Sequence, residues 1–377
     1  MKRSKTTSEN AATSPEGAAA PAESDRLFTP STQRQGSASS GRVEMLSTEF
    51  AVGWAPVSAS NEFSYVAAML DAEVIGCGVA NISRPDLDRA RQETALNAYG
   101  FIVVFRRPVP SDLVQSINVF VIGQQTVIPK TNPLKLDRPH PLRIFLMGSP
   151  RSGTSELGTT LSNVLGLPWL GEGHAAPLFS TAADALSGDA TASIGLVRFM
   201  AQQNFRHTAI EAAKRAYFYL HGSASFVDKT PGVSMIAAAP FLNECFPGSH
   251  FIFLRRNPVA NVLSRMEKFG GSFQAHCNDW AAAMSAWLDV RALLPHYLDV
   301  QQEEMLDSPE RVATALAEYI GVPDSAQVIG QSLRAGSRER TGAGVGKTSV
   351  QQTGWTAEQI KTFERICGPA MRAYGYS

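Results

Sequence analysis

The chain has 377 residues, more than one typical domain holds, so two folded units and a tail are expected. Its 34 basic and 34 acidic side chains cancel to zero formal net charge, which excludes a nucleic-acid binder working by bulk electrostatics. It contains no run of about 18 apolar residues, so no membrane-spanning segment is expected.

The start shows no secretory pattern of charge, apolar core and cleavage site. Cys77, Cys245, Cys277 and Cys367 lie far apart with no C-x-x-C pair, and read as reduced thiols of a cytoplasmic protein.

Residues 1–45 are rich in Ser, Thr, Ala, Pro and Gly and poor in aliphatic side chains. Such a segment buries too little apolar surface to offset its ordering entropy, and a disordered tail is expected. From 46 to 130 short apolar runs alternate with turn residues. Candidate strands are 50–54, 65–70, 73–80, 101–105 and 117–122, with a hairpin at Asp71-Ala72 and a helical turn at Arg84-Pro85-Asp86-Leu87. The pattern predicts a small antiparallel β-sandwich whose Trp and Phe residues are core. This stretch also resembles a β-module attached to bacterial glycosyltransferases and related carbohydrate-modifying enzymes. The likeness lies in Gly53-Trp54-Ala55, Arg84-Pro85-Asp86-Leu87 and Gly100-Phe101.

Residues 131–140, rich in proline, read as a linker. From 141 to 377 helical and strand patterns alternate, which predicts an α/β domain with a largely parallel sheet flanked by helices. Helices are expected over 194–219, 279–294 and 309–320, the last ended by Gly321-Val322-Pro323.

The informative stretch is the apolar run 143–147 followed by Gly148-Ser149-Pro150-Arg151-Ser152-Gly153-Thr154-Ser155 and an amphipathic segment carrying Leu157, Leu161 and Leu165. Strand, tight loop and helix cradle an anion on backbone N–H groups. Gly148 and Gly153 stand at Walker A spacing, yet Thr154 occupies the lysine position and the positive charge sits at Arg151. Lys229 ends a second apolar run, and Arg255-Arg256 ends a third, ahead of Ser264. Ligand sites in open α/β sheets lie beyond the carboxyl ends of strands, so these cations and the loop suit a polyanionic ligand.

Pro150-Arg151-Ser152-Gly153-Thr154-Ser155, Lys229-Thr230-Pro231, Arg256-Asn257-Pro258 and Ser264 together resemble the motifs of sulfotransferases that use 3′-phosphoadenylyl sulfate (PAPS). The likeness is to the branch with P-R-S-G-T, and it covers about residues 140 to 377. It implies a P-loop-like sulfotransferase fold in which Arg151, Ser152, Gly153, Thr154 and Ser155 hold the 5′-phosphosulfate of PAPS. Arg256 and Ser264 would hold the 3′-phosphate, and Lys229 would steady charge on the leaving phosphate. Arg340 and Lys347, in a Gly-rich basic loop, are candidates for a further nucleotide contact. Glu172 stands at the offset of the branch's general base, with His174 as the alternative.

A sulfuryl group carries less charge than a terminal phosphoryl group, so transfer is expected to need no metal. It still needs positioning, cations and a base for the acceptor hydroxyl. The acceptor implied is a small molecule or a glycan, with carbohydrate favoured by the β-module. Two other readings stay open: a P-loop nucleotide kinase, which Thr154 in place of lysine opposes, and a non-catalytic glycan-binding protein. Oligomeric state is not legible.

Overall fold

A computed structural model describes residues 41–57, 63–87, 97–122, 126–137, 140–169, 171–172, 196–337 and 349–376. The N-terminal part folds into β1 (Arg42–Leu46), β2 (Phe50–Val57), β3 (Ser64–Leu70), β4 (Glu73–Ala80), β5 (Asn97–Val104), β6 (Asn118–Val121), β7 (Thr126–Ile128) and β8 (Lys130–Leu136). They form two four-stranded sheets in the orders β5-β2-β1-β8 and β4-β3-β6-β7. Pairing is antiparallel except between β1 and β8. The expected hairpin is present: Asp71 takes φ 52 and Leu70 pairs with Glu73. Pro85–Leu87 is a single 3-10 turn.

Two boundaries differ from expectation. Ordered strand begins at Arg42, inside the stretch read as tail, and residues 131–136, read as linker, belong to β8. The prolines misled because β8 is an edge strand, where a missing N–H costs no ladder bond.

The points of likeness to the carbohydrate-associated module pack on one another. A Cβ on Gly53 would lie 2.1 Å from the Arg42 carbonyl oxygen and 2.8 Å from the Phe101 ring, and one on Gly100 would meet Arg84 Cγ at 3.2 Å. Arg84 is 2% exposed and donates to both Glu44 and Asp86. These residues build the module's interior.

Alternation along the strands gives the first sheet two buried faces. Val43, Ala51, Phe101 and Val103 face Val66, Ile75, Val119 and Ile128 of the second sheet. Met45, Phe50, Val52, Ile102 and Val104 point the other way, into the core of the C-terminal domain.

That domain is built on β9 (Arg143–Gly148), β10 (Phe226–Lys229), β11 (His250–Arg255) and β12 (Leu298–Gln301), all parallel, in the order β10-β9-β11-β12. Helix α1 (Thr154–Leu165) follows β9, and α2 (Leu196–His221) precedes β10. Next come α3 (Val233–Cys245), α4 (Pro258–Phe269) and α5 (Phe273–Arg291), then α6 (Gln302–Asp307), α7 (Pro309–Tyr319), α8 (Ala326–Ser337) and α9 (Ala357–Tyr374).

β9 is buried throughout, as its unbroken apolar run predicts. Ile144 and Leu146 pack with Leu157, Leu161 and Leu165 of α1 and with α7 and α8. Phe145 and Met147 face α2, α3, α5 and α9 and meet the N-terminal sheet. Phe50 stacks on Phe218 at 4.6 Å, and Glu49 bridges Arg143 at 2.6 Å with both side chains under a tenth exposed. Helix α5 begins six residues before its expected start because Ser272 caps it, accepting from Ala275 N.

Candidate active site

The chain leaves β9, crosses to β10 on one side, then returns to β11 on the other. Adjacent loops therefore diverge at the C-terminal end of β9, where an open α/β sheet leaves a crevice. Gly148, Lys229 and Arg255 end the three strands on this edge. Gly148 takes φ 149, and a Cβ there would lie 2.3 Å from the Leu254 carbonyl oxygen, so only glycine lets β9 and the loop pass β11.

Loop 149–153 turns through two positive-φ residues, Arg151 at 71 and Gly153 at 89, and leads into the N-terminus of α1. Arg151 and Ser155 are exposed, while Ser152 and Thr154 are buried. The loop's brace is Asn261, fully buried on α4. Its Nδ2 donates to the Pro150 carbonyl at 3.0 Å and to Ser152 Oγ at 3.2 Å, while Ser149 Oγ donates to its Oδ1 at 3.4 Å. Sequence reasoning passed over Asn261. The available signal was a polar residue one turn before Ser264 on a largely buried helical face.

Helix α4 ties the second basic strand end to the same loop. Asn257 caps it by accepting from Val259 N and Ala260 N, and Pro258 occupies its first turn. Arg256 Nη1 donates to the Arg151 carbonyl at 3.1 Å, and Arg151 Nε donates to Ser264 Oγ at 3.1 Å. Trp280 Nε1 holds the Arg256 carbonyl at 3.2 Å. Neighbouring Arg255 faces away, its guanidinium over the rings of Tyr374 and Tyr376 at 5.7 and 5.4 Å.

Lys229 is 4% exposed and forms an ion pair with Glu172. Asp228, on the opposite face of β10, accepts from Thr230 Oγ1 at 3.3 Å. Burial, with Asp228 beside it, pushes the Tyr217 hydroxyl well above its ordinary pKa.

The arm after α1 brings Glu172 to this place. Val227 N donates to the Pro168 carbonyl at 3.0 Å, and Trp169 forms a parallel bridge to Val227. The Trp169 ring fits over Gly158 of α1, where a Cβ would come within 2.0 Å of two ring atoms. A glycine inside a helical pattern was the available signal.

Of the residues singled out from sequence, the fold gathers Arg151, Ser152, Gly153, Thr154, Ser155, Arg256 and Ser264 around one loop, with the Lys229–Glu172 pair on the same sheet edge. His174, Arg340 and Lys347 lie outside the described residues. Among the described residues no group of three or more His, Cys, Asp and Glu side chains converges as a metal ligand set, and no helix is long and apolar enough to cross a membrane.

A parallel sheet with a glycine-bearing loop at its switch point, leading into a helix N-terminus, defines a P-loop-like α/β architecture. Residues 141–326 match the sulfotransferase family model, so this stretch is a sulfotransferase domain, the enzyme class of sulfuryl transfer. Similar solved structures include sulfotransferase STF9 from Mycobacterium avium, 15% identical with a TM-score of 0.39, over 64% of this chain and 78% of that one. The sulfotransferase domain of the Synechococcus PCC 7002 olefin synthase is 20% identical with a TM-score of 0.35, over 61% and 96%. A retinol dehydratase in complex with androsterone and inactive cofactor PAP is 13% identical with a TM-score of 0.36, over 61% and 80%. The family assignment rests on the match over 141–326. No curated protein matches the chain significantly in sequence.

Proposed function

We propose that the enzyme moves a sulfuryl group from PAPS to a carbohydrate hydroxyl by in-line transfer, with Glu172 as general base and without a metal. The observation that carries this reading is the Lys229–Glu172 pair on the sheet edge that also bears loop 149–153. A cation for the leaving phosphate and a carboxylate for the incoming hydroxyl are what the step requires beyond positioning.

The loop suits a phosphosulfate. Its N–H groups open a helix, Asn261 holds its shape, and Arg151 adds a positive charge. Arg256 and Ser264 are the proposed contacts of the 3′-phosphate, and Arg340 and Lys347 are candidates for a further nucleotide contact. In the transfer, Glu172 takes the acceptor proton as the acceptor oxygen bonds to sulfur, and Lys229 balances the charge gathering on the departing phosphate oxygen. His174 is the alternative base. Gly53, Arg84 and Gly100 serve the module's interior, so the carbohydrate acceptor rests on the overall likeness of the module. The four unbridged thiols suit a cytoplasmic setting.

The test is transfer from labelled PAPS to glycan, phenol and lipid acceptors, beside the melting temperature with 3′,5′-adenosine bisphosphate. A raised melting temperature and labelled glycan are expected, with Glu172→Ala losing transfer yet keeping the nucleotide. Label on phenol or lipid alone would move the acceptor class, and full turnover in Glu172→Ala would remove the base assignment.

A further inference from the structure

The Lys229–Glu172 pair poses a chemical difficulty for the reading just given. Lys229 is almost wholly buried at the end of β10, and Glu172 is the partner the fold supplies to it. A buried ammonium stripped of its counter-charge is strongly disfavoured, and among the described residues Glu172 is the ion-pair partner of Lys229, so Lys229 gives up that anion only against another. An adjacent ammonium stabilises the ionised carboxylate, so a carboxylate held on it is a weaker base toward a hydroxyl. Both groups are therefore occupied by each other before any substrate arrives.

The surroundings offer a way out. The Glu172 side chain is 43% exposed, and it sits on an arm fixed to β10 by the Pro168 carbonyl and to α1 by Trp169 over Gly158. The carboxylate can swing toward solvent while its backbone stays in place. Lys229 stays with the strand, on the sheet edge that also bears loop 149–153.

Resting on the donor reading above, we propose that Glu172 and Lys229 form a gate that donor binding opens. The incoming anionic group replaces the Glu172 carboxylate on Lys229 and frees that carboxylate to act as base. The donor consequently binds first, and an acceptor hydroxyl is activated only in an enzyme that already holds it. Donor-free enzyme carries a masked base.

The gate makes Glu172 a competitor of the nucleotide for Lys229, which a merely structural ion pair would not be. Nucleotide affinity is reduced by the fraction of enzyme whose Lys229 is taken. Glu172→Gln keeps the shape and removes the charge. It should bind 3′,5′-adenosine bisphosphate about five- to tenfold more tightly than wild type at low salt, with the gap narrowing as salt screens the half-exposed pair. Isothermal titration of both proteins over a salt series reads this directly. Glu172→Ala serves as a second variant expected to move the same way, and each variant's melting temperature confirms folding. If wild type binds the nucleotide and both variants bind it equally or more weakly, the gate is overturned while the donor reading stands. If wild type binds no nucleotide, the donor reading itself falls and the gate with it.

Discussion

Gly158→Ala isolates the arm that carries Glu172. The new methyl would sit 2.0 Å from two atoms of the Trp169 ring, whereas carbon atoms pack at about 3.5 Å or more. The ring must retreat by roughly 1.5 Å. It will yield before the helix does, because Leu157 and Leu161 anchor α1 fully buried in the core while Trp169 lies only partly buried at its margin. Overpacking of this kind costs about 1–3 kcal/mol, and replacing a helical glycine by alanine returns about 1 kcal/mol. The net loss is about 0–2 kcal/mol, a fall in melting temperature of at most roughly 8 °C for a domain of this size. Turnover should suffer far more. A misplacement of about 1 Å at a catalytic group costs about 100-fold, and Trp169 lies three residues before Glu172, the proposed base. Affinity for 3′,5′-adenosine bisphosphate should not weaken, since loop 149–153 and Arg256 are untouched. Melting curves, nucleotide titration and transfer rates on one preparation separate these effects. Wild-type turnover in a folded Gly158→Ala enzyme would refute the positioning role, and a parallel collapse of nucleotide affinity would show that α1 had moved instead.

Two further outcomes follow from burial. Glu49→Ala leaves Arg143 buried without its bridge, a loss of about 3–5 kcal/mol, and the two parts should still unfold in one urea transition because they share a core. A loss under about 1 kcal/mol, or two separate transitions, would show that the bridge does not join them. His221 is 7% exposed and stacks on Phe226 at 4.4 Å, and burial lowers its pKa to about 3. Between an ordinary value near 6.5 and about 3 the unfolded chain holds the proton that the folded chain refuses. Stability is therefore lost as pH falls through that window, by up to about 1.4 kcal/mol per unit. Urea midpoints at pH 7, 6 and 5 should converge for His221→Phe relative to wild type, and parallel series would count against the assignment.

How much of this was legible beforehand depends on whether the physics is local. The buried strand 143–148, its loop and the Leu157, Leu161 and Leu165 face are written in neighbouring residues, because period, glycine placement and capping act over a few positions. The Asp71 hairpin and the stop at Gly321 were readable for the same reason. The short strands β1, β7, β8 and β12 were not, since their pairing partners, rather than their own sequences, make them strands.

The sequence by itself determined the α/β class of the C-terminal domain, the glycine-bearing loop with Thr154 at the Walker lysine position and its positive charge at Arg151, and the ordered set of basic strand ends. Only the tertiary structure decided which of those groups meet. It turned Arg256 toward the loop and Arg255 toward two tyrosine rings, and put Asn261 under the loop as its brace. It gave the first β-sheet a second buried face against α2 and seated Trp169 over Gly158 so that Glu172 reaches Lys229. Contacts between residues so far apart in sequence depend on strand order and side-chain direction, which no local pattern encodes.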